Sequence, residues 1–155
     1  MTLEVRRVVT GHDKNGKAHV VIDEISDNVV SWRAGQDSTV IWATDQTPAD
    51  LALVNDISAD VEATTVSNGT VFRISRFEPG VAPRNHRTAS LDYAVVMSGT
   101  IDMELDDGEI VHLKAGDVLV QRGTVHNWKN PGTEPCMIAF ILIAAPLPEN
   151  LDAEG

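Results

Sequence analysis

Between residues 69 and 144 apolar and polar positions alternate in short runs broken by turn residues. Ile101, Met103 and Leu105 fall on one side of a run and Asp102, Glu104 and Asp106 on the other, the period of two expected of a half-buried strand. Strands are accordingly predicted at 70–77, 93–97, 101–105, 109–113, 118–120, 126–130 and 137–144. Glu78-Pro79-Gly80, Ser98-Gly99, Lys114-Ala115-Gly116-Asp117 and Pro131-Gly132 separate them, and Asp107-Gly108 is a favoured two-residue hairpin turn. The signal upstream is thinner. Short strands at 5–9 and 19–23 flank the turn Asp13-Lys14-Asn15-Gly16, and residues 39–44 form a β-rich run. Thr47-Pro48-Ala49-Asp50-Leu51 predicts one short helix, with Thr47 as its cap and Pro48 at its first position. Residues 56–67 are polar and read as a loop.

Short strands, tight turns and little helix make this an all-β chain, an antiparallel sandwich or barrel. Its 155 residues fit one domain. Within it, residues 1–68 are strands and a loop that pack on a barrel spanning 69–145, and 146–155 is an acidic tail expected to fray.

Composition narrows the function classes. Net charge is −11, and the 12 Lys and Arg are scattered along the chain. Nucleic acid and an anionic membrane are therefore excluded as expected partners. The start carries charges where a signal peptide needs an apolar run, and no stretch nears the roughly 20 apolar residues of a membrane span. Cys136 is the single cysteine and has no disulfide partner in the chain. A cytoplasmic location is expected.

Two stretches join turn glycines to polar residues on apolar strands. One runs from Gly80 through His86, Thr88 and Asp92 to Gly99. The other runs from Gly116-Asp117 through Gln121, Gly123 and His126 to Asn130. In both, a histidine sits near a strand end. These stretches resemble the two motifs of the cupin superfamily. The first motif is a glycine, a His-x-His pair, an acid and a closing glycine. The second is Gly-Asp, a Pro-x-Gly turn, a histidine and an asparagine. Arg122 stands where the second motif usually has proline, with one residue fewer in the turn. The resemblance implies a jelly-roll barrel with an N-terminal strand extension and an interior pocket for a small-molecule metabolite.

Cupins that bind iron, manganese, nickel or zinc usually supply two histidines and an acid from the first motif and one histidine from the second. Here Thr88 replaces the second histidine and the acid is the shorter Asp92. Neutral threonine is a poor ligand for a divalent transition metal. A metal site of His86, His126 and Asp92, and a metal-free site, both stand as readings. Alternatively Asp92 orients a buried imidazole by accepting its N–H. Trp128 shares the His126 face as a pocket floor or as core. His12, His19 and His112 are expected at the surface, Arg87 at the surface or a subunit contact, and Tyr93 in packing.

Three functions follow as expectations. The first is an enzyme of dehydratase, isomerase or lyase type acting on a hydroxy- or oxo-metabolite. His86 and His126 would be its acid–base pair, with Thr88, Gln121 and Trp128 binding substrate. The second is a metal-dependent oxygenase using Fe, Mn or Zn. The third is a non-enzymatic small-molecule binder. A homodimer is expected, because single-domain cupins of this kind commonly lay an N-terminal segment, here with Trp32 and Trp42, against a partner barrel.

Overall fold

The computed structural model describes residues 3–52 and 54–152. The strands, in chain order, are β1 (Arg6–His12), β2 (Ala18–Ile25), β3 (Val29–Arg33), β4 (Gln36–Thr44), β5 (Thr70–Phe77), β6 (Ser90–Ser98), β7 (Thr100–Glu104), β8 (Ile110–Lys114), β9 (Val118–Arg122), β10 (Asn127–Lys129) and β11 (Cys136–Ala144). They build a six-stranded sheet in the order β3-β4-β5-β11-β6-β9, a three-stranded sheet β10-β7-β8 and the hairpin β1-β2. Every pairing is antiparallel. This is the jelly-roll architecture, and its period-two alternation is visible strand by strand. On β6, Ser90, Asp92, Ala94 and Val96 are buried while Tyr93, Val95 and Met97 are exposed.

The two larger sheets close over Phe77, Val96, Ile101, Met103, Trp128 and Ile138. A smaller cluster of Val40, Ala43, Val71 and Leu142 continues the core toward the loop that bears Ile57 and Val61. Each large apolar side chain buried this way contributes about 1.5–3 kcal/mol. At the β7–β8 turn Asp107 and Gly108 both take positive φ, 56° and 74°, as the two-residue reversal requires.

The N-terminal third joins the barrel more intimately than its thin pattern implies. β3 and β4 extend the six-stranded sheet itself. Arg7, buried on the otherwise exposed β1, donates to the Glu24 and Asp56 carboxylates, to Ser58 Oγ and to the Ile41 carbonyl. One side chain thus ties the hairpin and the 45–68 loop to the barrel. The helix expected at 47–51 does not form. Thr47 Oγ1 donates to the Asn68 carbonyl at 3.1 Å instead of capping a turn, and Asp50 accepts the Ala52 N–H. The only regular structure described in that loop is one 3₁₀ turn, Ser58–Asp60. Ala145 N–H, at the end of the barrel, donates to the Ala89 carbonyl, and within the tail Leu151 N–H donates to the Pro148 carbonyl. Residues 153–155 of the expected frayed tail lie outside the described residues.

Candidate active site in the barrel

His86 lies in the segment between β5 and β6, and His126 immediately precedes β10. Their backbones form a two-bond antiparallel bridge, His86 N–H to the His126 carbonyl at 3.1 Å and the reverse at 3.0 Å. The bridge sets the two rings side by side, 4.4 Å between centroids. The motif asparagine acts on the scaffold. Asn130 Nδ2 donates to the carbonyls of Phe77 and Glu134, and the Asn130 carbonyl accepts the Gly80 N–H. Asn127, fully buried beside His126, accepts the Arg84 N–H at 2.8 Å.

Each imidazole turns Nδ1 to a carbonyl two residues back, His126 to Thr124 at 2.9 Å and His86 to Arg84 at 3.4 Å. These carbonyls orient the rings, and the role expected of Asp92 falls to them. In the tautomer that makes these bonds, Nδ1 carries the proton and Nε2 keeps its lone pair. Burial is the main cause that pushes His86 down to about 4, with His126 and Arg84 adding to it. Burial also lowers His126. Both rings are therefore neutral at neutral pH.

The histidines face a small cavity of about 50 Å³, which Asp92, Trp128, Phe77, Phe140 and three arginines, Arg33, Arg73 and Arg84, also line. Trp128 is both floor and core, edge-on to His126 and to Phe140. Asp92 is buried and accepts the Ser90 hydroxyl at 2.5 Å, and Ser90 in turn pairs with Thr88 at 2.8 Å. Burial raises Asp92 to about 6, against the pull of Ser90 and Arg73. Thr88 and Gln121 are buried but do not line the cavity. Thr88 is bound to Ser90, and Gln121 Nε2 contacts Met103 Sδ at 3.1 Å. His12, His19 and His112 are exposed, His112 against Asp102. Tyr93 is exposed rather than packed, and Arg87 is half-buried rather than superficial.

Iron, zinc or manganese would find two imidazoles here and little more. Among the described residues no three His, Cys, Asp or Glu side chains converge to hold a metal ion. One oxygen of the Asp92 carboxylate, Oδ1, already accepts the Ser90 hydroxyl. The donor set present does not complete a transition-metal site. A larger cavity of about 630 Å³ lies between β1, β4 and the 45–57 loop. Among the described residues its titratable lining is His12, Asp45 and Asp50.

The three arginines were the residues sequence reasoning missed. Arg73 had a signal. It shares one face of β5 with Val71, Ser75 and Phe77, all buried, so a charge stands at an inward position. Arg33 and Arg84 sit at a strand end and in a loop, where no periodicity assigns a face.

A family model described as "Cupin domain" matches residues 73–143. The "Cupin-domain-containing oxidoreductase fogC" of Aspergillus ruber is 38% identical over 146 residues, covering 90% of this chain and 72% of that one. The "Cupin-domain-containing oxidoreductase srdD" of Neurospora crassa is 31% identical, covering 98% and 80%. A solved Klebsiella pneumoniae protein with a double-stranded β-helix domain aligns at TM-score 0.54 and 21% identity, over 77% of this chain and 85% of that one.

Proposed function

This chain belongs to the cupin-domain family, and from that premise we propose that it is an enzyme using His86 and His126 for proton transfer on a small hydroxy- or oxo-metabolite. The observation that carries the reading is the ring pair itself, two neutral imidazoles 4.4 Å apart on a cavity, each held through Nδ1. A bare Nε2 accepts a proton from carbon beside a carbonyl. Because charge on His126 disfavours charge on His86, the pair resists holding two protons at once. The accepted proton is therefore given up to the leaving hydroxyl, which departs as water, and the neutral pair is restored. An isomerisation returns the same proton to a different carbon. Positioned acid–base groups of this kind supply about 10²–10⁴ in rate. Trp128 and Phe140 keep water from the reacting carbon.

The test is proton NMR in D₂O on a panel of 2-oxo and 3-hydroxy acids. The protein should exchange or eliminate an acidic C–H on at least one of them, insensitive to chelator, and His126→Ala should cut that rate at least a hundredfold while folding normally. No exchange by the unmutated protein across the panel defeats the reading and leaves a binding protein, and an unchanged rate in the variant defeats the role given to His126. A second reading, a redox enzyme, rests on the names of the relatives rather than on this site. Near-stoichiometric iron in the purified protein, with activity lost to chelator and restored by Fe(II), would favour it.

A further inference from the structure

We propose that the barrel cavity takes its substrate by a carboxylate group, held between the guanidiniums of Arg33 and Arg84 with Arg73 behind them. This rests on the site location given above and adds the substrate class. The three arginines come from β3, β5 and the segment between β5 and β6, yet all line the cavity that holds the histidines. Among the described residues none of them forms an ion pair. Arg73 has a packing explanation: it donates to the Ala63 and Thr64 carbonyls and lies 5.5 Å over the Trp32 ring. Arg33 and Arg84 have none. Neither guanidinium has a hydrogen-bond acceptor among the described residues, and Arg33 Nε, like Nε of Arg73 and Arg87, is a buried donor left unpaired.

Charge makes the arrangement costly unless something else is present. In a chain of net charge −11, three cations converge on one cavity whose only carboxylate is Asp92. Arg84 repels both Arg33 and Arg73, and burial disfavours the charge on each. Arg33 and Arg84 are half-buried, so water meets only part of their charge, and an anion between the two forks offsets the desolvation that remains. A carboxylate fits best among anions. It is planar, so its two oxygens match a guanidinium fork. It is also small enough for a space of about 50 Å³, room for roughly four waters at about 10–15 Å³ each.

The experiment is calorimetry on the full chain at low salt with acetate, malonate and succinate, their amides, and inorganic phosphate. At least one carboxylate should bind tenfold or more tightly than its amide and more tightly than phosphate. Arg33→Gln and Arg84→Gln should each weaken it about tenfold or more, while the exposed Arg122→Gln should not. Equal affinity for acid and amide, tighter phosphate, or arginine variants that bind like the parent overturns the proposal. If the arginine variants fail to fold, the acid-to-amide ratio of the parent decides alone. Carboxylate binding without any proton exchange upholds this proposal and defeats the acid–base reading. Exchange on uncharged substrates without carboxylate binding does the reverse.

Discussion

Burial acts on His86 and Asp92 in opposite directions, and the pH dependence of stability follows from the pair. His86 falls from 6.5 to about 4 in the folded protein, so between those values the unfolded chain binds its proton and the folded one does not. Stability from His86 is therefore complete above about 6.5 and is lost as pH falls toward 4. Asp92 rises from 3.8 to about 6, so across nearly the same window the folded chain holds the extra proton and stability falls as pH rises. The two slopes oppose. Asp92→Asn keeps an acceptor for the Ser90 hydroxyl and removes one slope. Its unfolding free energy, from urea titrations, should climb more steeply from pH 4 to 6 than the parent's, by at most about 1.4 kcal/mol per pH unit for the single proton uncovered. A variant profile as shallow as the parent's would mean that Asp92 is ionised throughout.

At the scale of elements, the turn between β3 and β4 is clamped to the segment that carries His86. Glu78 N–H donates to the Gly35 carbonyl and Ala82 N–H to the Ala34 carbonyl. Gly35 sits at φ 85°, and a Cβ there would stand 2.9 Å from Val81 Cα. Both the backbone conformation and the close approach need glycine. Gly35→Ala should destabilise the fold by about 2 kcal/mol or more in urea unfolding. A shift under about 0.5 kcal/mol would show that this contact yields freely. The clamp also explains what could be read beforehand. His86 and His126 were legible because each follows a turn glycine, Gly80 or Gly123, and stands just short of the next strand. Arg33 and Arg84 converge only through this tertiary contact, which neither local pattern records. The 47–51 segment carries a good helix start, but its polar groups are taken by Asn68 and its own chain, and its neighbours lead into the loop that Arg7 holds down.

The molecule as a whole presents a sheet face that water should not be left to cover. On the outside of the six-stranded sheet Phe72, Ile141, Tyr93 and Val120 lie side by side in register, with Val95 opposite Val118 next to them. All six are exposed, Val118 by 72%. A stripe crossing four strands is continuous in a way that scattered surface apolar residues are not. A second copy of the chain, with the same stripe, would be a self-complementary cover under two-fold symmetry. Light scattering at micromolar concentration should return about twice the 16.8 kDa chain mass, and Tyr93→Lys with Val120→Glu should return the monomer. A monomer from the unmutated chain would remove the dimer.

The bridge between His86 and His126 is made entirely by main-chain atoms. Any pair of side chains placed at those two positions would start from backbones held together by the same two bonds, because the bridge does not use imidazole. The scaffold can thus pass unchanged through the loss of one reaction and the acquisition of another. On the acid–base reading proposed above, a change of chemistry would turn on the occupants of positions 86 and 126 rather than on the barrel.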